Sequence, residues 1–141
     1  MTISWIQAIL LAVFASLSSM PGMGGSSIGN YTLGRPLIGG LISGLILGDV
    51  TTGIMVGVAL QVVYIALVTP GGTVSADVRA ISYIGVPLAI LFVHANHITD
   101  EAGIAAAAAP IGAAVGTIGT VLFLRNSYHE LALATHWLES R

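Results

Sequence analysis

Apolar runs separated by short polar or glycine- and proline-rich breaks extend along the whole chain. Residues 3–20 form the first run, and a Pro-Gly-Met-Gly-Gly break at 21–25 ends it. A helix needs roughly 20 apolar residues to cross a hydrocarbon core of about 30 Å, so this run is long enough to span. A cleaved signal peptide is the rival reading. It wants a positive n-region, and no basic side chain precedes Arg35, so a retained helix is the better reading. The second run, 36–47, rises at about 1.5 Å per residue and falls well short of a crossing. Gly48-Asp49 closes it, and residues 50–68 come directly after it as a run long enough to span. Either 36–68 is one long tilted helix that buries Asp49, or the short run is a re-entrant arm that turns back at Gly48-Asp49. Non-helical backbone at membrane depth is tolerated where protein or a watery cavity surrounds it. Interrupted segments also mark binding sites in many transporters. The re-entrant arm is favoured.

A Thr-Pro-Gly-Gly stop at 69–72 leads into polar residues 73–79, and then into a further short apolar run, 81–93. Residues 94–101 are the most polar segment of the chain. Residues 102–124 make a clean spanning candidate, with a kink expected at Pro110, and the alanines at 105–109 favour helix. Beyond it the chain is amphipathic, with Tyr128, Leu131, Ala134, Trp137 and Leu138 sharing a side. Such a segment suits the membrane interface or a connection to a further segment. The pattern predicts an all-α membrane protein, a polytopic helical bundle with one or more short re-entrant or broken helices. Its expected organisation is a membrane domain over 1–125 and an amphipathic C-terminal segment over 126–141.

Composition removes the alternatives. Of 141 residues, 7% are charged and 55% hydrophobic, whereas a soluble domain carries about 25% charged residues. The mean hydropathy is +0.95. Soluble enzyme, nucleic-acid binder and disordered protein are thereby excluded, and the lipid bilayer is the solvent. Four Arg, no Lys and six acids leave a net charge of −2, with no basic patch to track phosphates. The absence of Cys removes disulfide frameworks and thiolate metal sites. The scattered Arg residues give no asymmetry from which to orient the chain.

The polar residues inside the apolar runs are the candidate chemistry. Gly40, Gly44 and Gly48 recur four apart, as do Gly53 and Gly57, and Gly112 and Gly116. This spacing lets helix backbones approach closely in lipid. Asp49, Gly53, Gly57 and Gln61 lie at i, i+4, i+8 and i+12, with Tyr64 three further on. On a helix this is a slowly winding stripe of acceptors and donors beside a glycine-lined groove. Intramembrane polar groups are costly and face a bundle interior or a cavity, and sugar hydroxyls need such groups. The bland alternative for Gln61 is a structural interhelical hydrogen bond; for Asp49 it is a cap on the following helix. Asp77, beyond the 69–72 break, either binds a sugar hydroxyl or pairs with Arg79.

His94, His97, Asp100 and Glu101 invite a metal reading. Zinc wants three or four convergent ligands, whereas these four spread around a helix, so an aqueous loop is the better reading. The Asn30-Tyr31-Thr32 sequon is too short to weigh. Gly22-Met23-Gly24-Gly25 lacks the strand–turn–helix context of a phosphate loop. No nucleophile–base pair is present, so neither a catalytic residue nor a metal or cofactor is expected.

The order of motifs carries a resemblance. An Ile-Gln-Ala-Ile-Leu-Leu helix at 6–11 is followed by Gly34-Arg35-Pro36-Leu37-Ile38. Next come Gly44-Leu45-Ile46-Leu47-Gly48-Asp49 and the 52–61 stretch Thr-Gly-Ile-Met-Val-Gly-Val-Ala-Leu-Gln. Gly71-Gly72 and Ala76-Asp77-Val78 complete the series. Over residues 1–124 the chain resembles the enzyme IIC component of the mannose/fructose/sorbose/N-acetylgalactosamine family of the bacterial phosphotransferase system. The resemblance implies a multi-pass subunit of the bacterial cytoplasmic (inner) membrane. Such a subunit binds a hexose or amino sugar and carries it inward together with a IID subunit. A IIB domain bearing phosphohistidine then phosphorylates the sugar. An oligomeric assembly is expected.

Gln61 matches a position where many members of that family carry Glu. It inherits a sugar-binding role, with Asp77 as companion and Tyr64 and Asp49 as further candidates. Gln keeps an acceptor, adds two donors and removes the charge, so an ionised role does not carry over. Family members are roughly twice this length, which leads to the expectation of an N-terminal half, split or truncated, that transports nothing unassisted. The competing class is a small structural or assembly subunit, packed by its glycine stripes and without a solute site of its own.

Overall fold

The computed structural model describes residues 2–19, 32–65 and 76–140. Among these the regular structure is helical: α1 (Trp5–Ser19), α2 (Pro36–Leu47), α3 (Val50–Tyr64), α4 (Val78–Ala95) and α5 (Glu101–Glu139). The breaks expected at 21–25 and 69–72, and the first two residues of the sequon, lie outside the described residues. Successive helices run in alternating directions between two ends of the bundle. At one end the Gln7 amide donates to the Ile46 carbonyl at 2.9 Å, placing the start of α1 beside the end of α2. Asp49 and His94 meet at this same end, here called the turn end. At the opposite, base end, the Ser82 hydroxyl at the start of α4 donates to the Gly34 carbonyl just before α2.

The chain reverses at Gly48-Asp49, so the single long helix over 36–68 is ruled out. Pro36 opens α2 at its first turn, where its fixed φ suits the helix and its missing N–H costs nothing. Gly48 ends α2 in the left-handed region at φ 84°. The N–H groups of Gly48 and Asp49 both donate to the Gly44 carbonyl at 2.9 Å. Asp49 then caps α3: its Oδ1 accepts from the Thr52 N–H at 3.1 Å, and its Oδ2 from the Thr52 hydroxyl at 2.6 Å. That satisfies one of the free donors at the start of a helix.

The two arms pack backbone against backbone. A Cβ on Gly53 would stand 2.6 Å from the Gly40 carbonyl oxygen, and one on Gly57 would stand 2.8 Å from that of Pro36. The glycine stripe is therefore the seam of an antiparallel hairpin. Gly in a helix gives up about 1 kcal/mol relative to Ala; in lipid, where the hydrophobic effect does not drive helices together, close backbone packing offsets that loss.

The hairpin packs on α4 and α5 through Leu47, Val56, Leu60, Ile81, Ile90 and Ile104, all buried. On α5, Gly112 and Gly116 are notches that receive the Leu60 and Ile81 side chains. Helix α4 widens into a π-type turn over Ile81–Gly85, just ahead of Pro87. A prolyl ring removes one helical donor and crowds the preceding turn, and a local π turn is one way a helix absorbs this. In α5 the helix continues unbroken through Pro110 and on past residue 125 to Glu139.

Outward faces are apolar at i, i+4, i+8 spacing: Leu37, Leu41 and Leu45; Ile54, Val58 and Val62; Ile84, Leu88 and Phe92. Small residues line the α2–α3 seam, while large apolar side chains cover the outward faces where a water-soluble helix would carry polar ones, the arrangement of a lipid-facing bundle. Helices α4 and α5 are long and apolar enough to cross a membrane, while α1 and both hairpin arms are shorter. The protein is thus an all-α membrane protein built around a short helical hairpin.

Substitutions at the seam and at the cap test this arrangement. Gly53→Leu should force the arms apart and destabilise the bundle by about 1–3 kcal/mol, the usual cost of overpacking, read as a lower unfolding midpoint in detergent. Asp49→Ala should cost about 1 kcal/mol through the lost cap, and Asp49→Asn, an equally good N-cap, much less of the cap contribution.

Candidate functional site

Three of the sequence-predicted residues lie towards the base end. The Gln61 carboxamide oxygen accepts from the Leu37 N–H at 3.4 Å, one of the first-turn donors of α2 that have no intrahelical partner. The Gln61 amide nitrogen makes no hydrogen bond among the described residues. Tyr64, one turn on, is buried in the core cluster. Asp77 caps α4: its Oδ1 accepts from the N–H groups of Arg79 and Ala80, each at 3.1 Å. Its own N–H donates to the Gly116 carbonyl of α5 at 3.1 Å, and its Cβ lies against Gly119. The Arg79 Nε stands 3.8 Å from the Asp77 Oδ1, a long and partly exposed pair of small energetic weight. Asp77 therefore caps α4, pairs with Arg79 and also lines a cavity.

That cavity is a groove of about 480 Å³ between the end of α1, the start of α4 and α5. Asp77, Arg79, Ser19, Asn126, Tyr83 and Phe123 contribute to its lining. A carboxylate that accepts, a guanidinium that donates, a carboxamide that does both and aromatic rings form a set suited to a polyhydroxylated ligand. Nothing in the sequence pattern singles out Ser19, Tyr83, Phe123 or Asn126. Each sits in an ordinary apolar or amphipathic run, and only the folded contact of α1, α4 and α5 brings them together.

Asp49 lies elsewhere. It is twelve residues from Gln61 along α3, about 18 Å at the helical rise, and belongs to the turn end. Its Oδ2 accepts from the Thr52 hydroxyl at 2.6 Å and from the His94 Nε2 at 2.7 Å. The imidazole is the donor here, because an ionised carboxylate only accepts. The Thr52 hydroxyl bond holds the Asp49 carboxyl below its ordinary pKa against the opposing effect of desolvation. The Thr52 N–H and the His94 ring add to the lowering.

The sequence pattern groups His94 with His97, Asp100 and Glu101 in an aqueous segment. Helix α4 instead runs to Ala95, and the His94 side chain meets Asp49. Asp100 caps α5 by accepting from the Gly103 N–H at 2.8 Å. Among the described residues, no three His, Cys, Asp or Glu side chains gather as a metal site would require. A partner 45 residues away leaves no local sequence signal, so the Asp49–His94 contact becomes visible only in the fold.

Several known proteins are similar to the chain over most of its length. The mannose-specific EIIC component of the phosphotransferase system of Escherichia coli (strain K12) is 33% identical over 122 residues, covering 86% of this chain and 42% of the relative. The sorbose-specific EIIC component of Klebsiella pneumoniae is 35% identical over 121 residues, again 86% of this chain and 42% of the relative. That of Lacticaseibacillus casei is 37% identical over 122 residues, 86% of this chain and 40% of the relative. The chain thus spans about two-fifths of the length of these relatives. No solved structure matches it. A family model described as the sorbose-specific IIC component of the phosphotransferase system matches residues 5–136. On that near-complete match, this hairpin-centred membrane chain belongs to the sorbose-specific IIC family of the sugar phosphotransferase system.

Proposed function

We propose that the chain is part of the sugar-translocating unit of a phosphotransferase transporter in the bacterial inner membrane. It binds a hexose or amino sugar and carries it inward, coupled to phosphorylation by a IIB partner bearing phosphohistidine, and it assembles with a IID subunit into an oligomer. The observation that carries this reading is the mainly apolar groove with Asp77, Arg79, Ser19 and Asn126 on its lining, in a chain of the IIC family. Asp77 accepts from sugar hydroxyls in that groove. Gln61, on α3 and outside the groove's lining, offers its N–H donors from a second position towards the base end, with Tyr64 buried one turn further along the same helix. Asp49 meets a sugar only once its bonds at the turn end are broken, and it contributes mainly by shaping the hairpin. The chain supplies recognition and passage; the phosphoryl group comes from the partner.

A second reading, an assembly subunit with no solute site, draws on one observation: Asp49, Gln61 and Asp77 each already have a bond within the protein. The two readings separate in vesicles reconstituted with the partner subunits. Gln61→Ala and Asp77→Asn should each lower sugar uptake roughly tenfold or more, the order expected when a bound hydroxyl loses its partner. Asn at 77 keeps the helix cap, so a loss there reports on binding rather than on folding. Uptake unchanged in both variants supports the assembly role. Vesicles holding this chain alone should neither accumulate nor phosphorylate sugar, and accumulation by them would overturn the dependence on partners.

A further inference from the structure

The hairpin is fastened to α4 at both ends, by bonds of different kinds. At the base, the Tyr83 hydroxyl donates to the Leu33 carbonyl at 2.7 Å, and the Ser82 hydroxyl shares its one proton between the Val78 carbonyl of its own helix at 2.8 Å and the Gly34 carbonyl at 3.0 Å. Both residues are buried, and a Cβ on Gly39 would stand 2.6 Å from that of Ser82. These bonds are neutral, the Ser82–Gly34 one buried and the Tyr83–Leu33 one partly buried. At the turn end the directional bond from hairpin to α4 is Asp49–His94, and its side chains are 25% and 38% exposed. Between the two ends the contact consists of apolar side chains, Leu47, Val56 and Leu60 of the hairpin with Val86, Ile90 and Val93 of α4 in one cluster. Such surfaces separate without breaking any directional bond between the hairpin and α4; the Gln7–Ile46 bond at the same end ties the hairpin to α1, not to α4.

Two further features bear on movement. The α2–α3 seam is backbone on backbone, so the arms move as one body. The π-type turn at Ile81–Gly85 sits in α4 at the base attachment, and π turns inside helices recur at functional sites. Breaking the His94 bond also leaves the Thr52 bonds to Asp49 in place, so the helix cap survives release.

We propose that the Asp49–His94 bond is a releasable latch: when it opens, the hairpin swings away from α4 at the turn end while remaining hinged at Ser82 and Tyr83. The movement opens a path into the bundle from the turn end. It does not depend on the sugar-binding assignment, and it is tested without sugar.

The chain contains no Cys, so pairs of introduced cysteines can be spin-labelled cleanly in the full chain in lipid nanodiscs. Thr51→Cys with Asn96→Cys reports on the turn end, and Leu37→Cys with Ile84→Cys on the base; all four positions are exposed. With His94 present, each pair should give one dominant distance. In His94→Ala the turn-end pair should gain a longer-distance population, with the base pair unchanged. His94→Gln, which retains a donor near the Nε2 position, should return the turn-end pair to its original distance. Turn-end distances unchanged in His94→Ala would overturn the latch, and so would equal broadening of both pairs, which signifies general loosening.

Discussion

Close contact between two backbones, Gly40 and Gly44 of α2 against Gly53 and Gly57 of α3, is the constraint on which the rest of the structure depends. A side chain on any of these positions would have to occupy space already held by the opposite helix. Because the seam is so thin, the arms' larger side chains all point away from it. Leu37, Leu41 and Leu45 face outward, while Leu47, Val56 and Leu60 face α4 and α5. The lipid-facing surface and the core are both set by that division. The turn at Gly48-Asp49 has the same origin, since arms this close need a tight reversal, and a left-handed glycine followed by a capping aspartate provides one.

The polar groups sort along the bundle axis once the hairpin exists. Alternation of helix direction puts the caps of α3 and α5 at the turn end and that of α4 at the base end. Asp49, Asp77 and Asp100 all do the same local work of satisfying first-turn N–H groups, yet they meet different surroundings. Asp49 faces the end of α4, Asp77 faces a groove against α5, and Asp100 caps α5 alone. What distinguishes the candidate site is therefore the neighbouring helix, not the carboxylate.

The same division governs which features are legible in the sequence. Glycines four apart and the Gly48-Asp49 punctuation are local signals, because the backbone itself demands glycine there, and they forecast both the bundle and the reversal. The cap role of Asp49 is equally local. The partition of Asp49 from Gln61 is less visible. A stripe at i, i+4, i+8 and i+12 shares a face, but it also spans the length of a helix, and spacing alone does not say that its two ends serve different places. The His94 partner and the Ser19, Tyr83 and Asn126 lining of the groove depend on contacts across the fold, for which periodicity carries no information. The unbroken course of α5 through Pro110 is likewise decided by context: Pro110 is exposed, and the helix on either side is held by the Ile104 and Ala108 packing and by the Gly112 and Gly116 notches.

Helix α5 is 39 residues long, about 58 Å at the helical rise, and its buried positions end at Gly116. Beyond it Gly119, Phe123 and Asn126 still border the groove against α1 and the start of α4, and the helix then runs on to Glu139 as a rod held at one end. Mechanically it is a lever whose fulcrum is the pair of glycine notches. A tilt of about 5° at the clamp carries the far end, some 20 residues away, through roughly 2.5 Å. Small rearrangements where Leu60 and Ile81 enter the notches are thereby magnified at Trp137 and Leu138, so the fold converts packing shifts inside the bundle into displacement outside it.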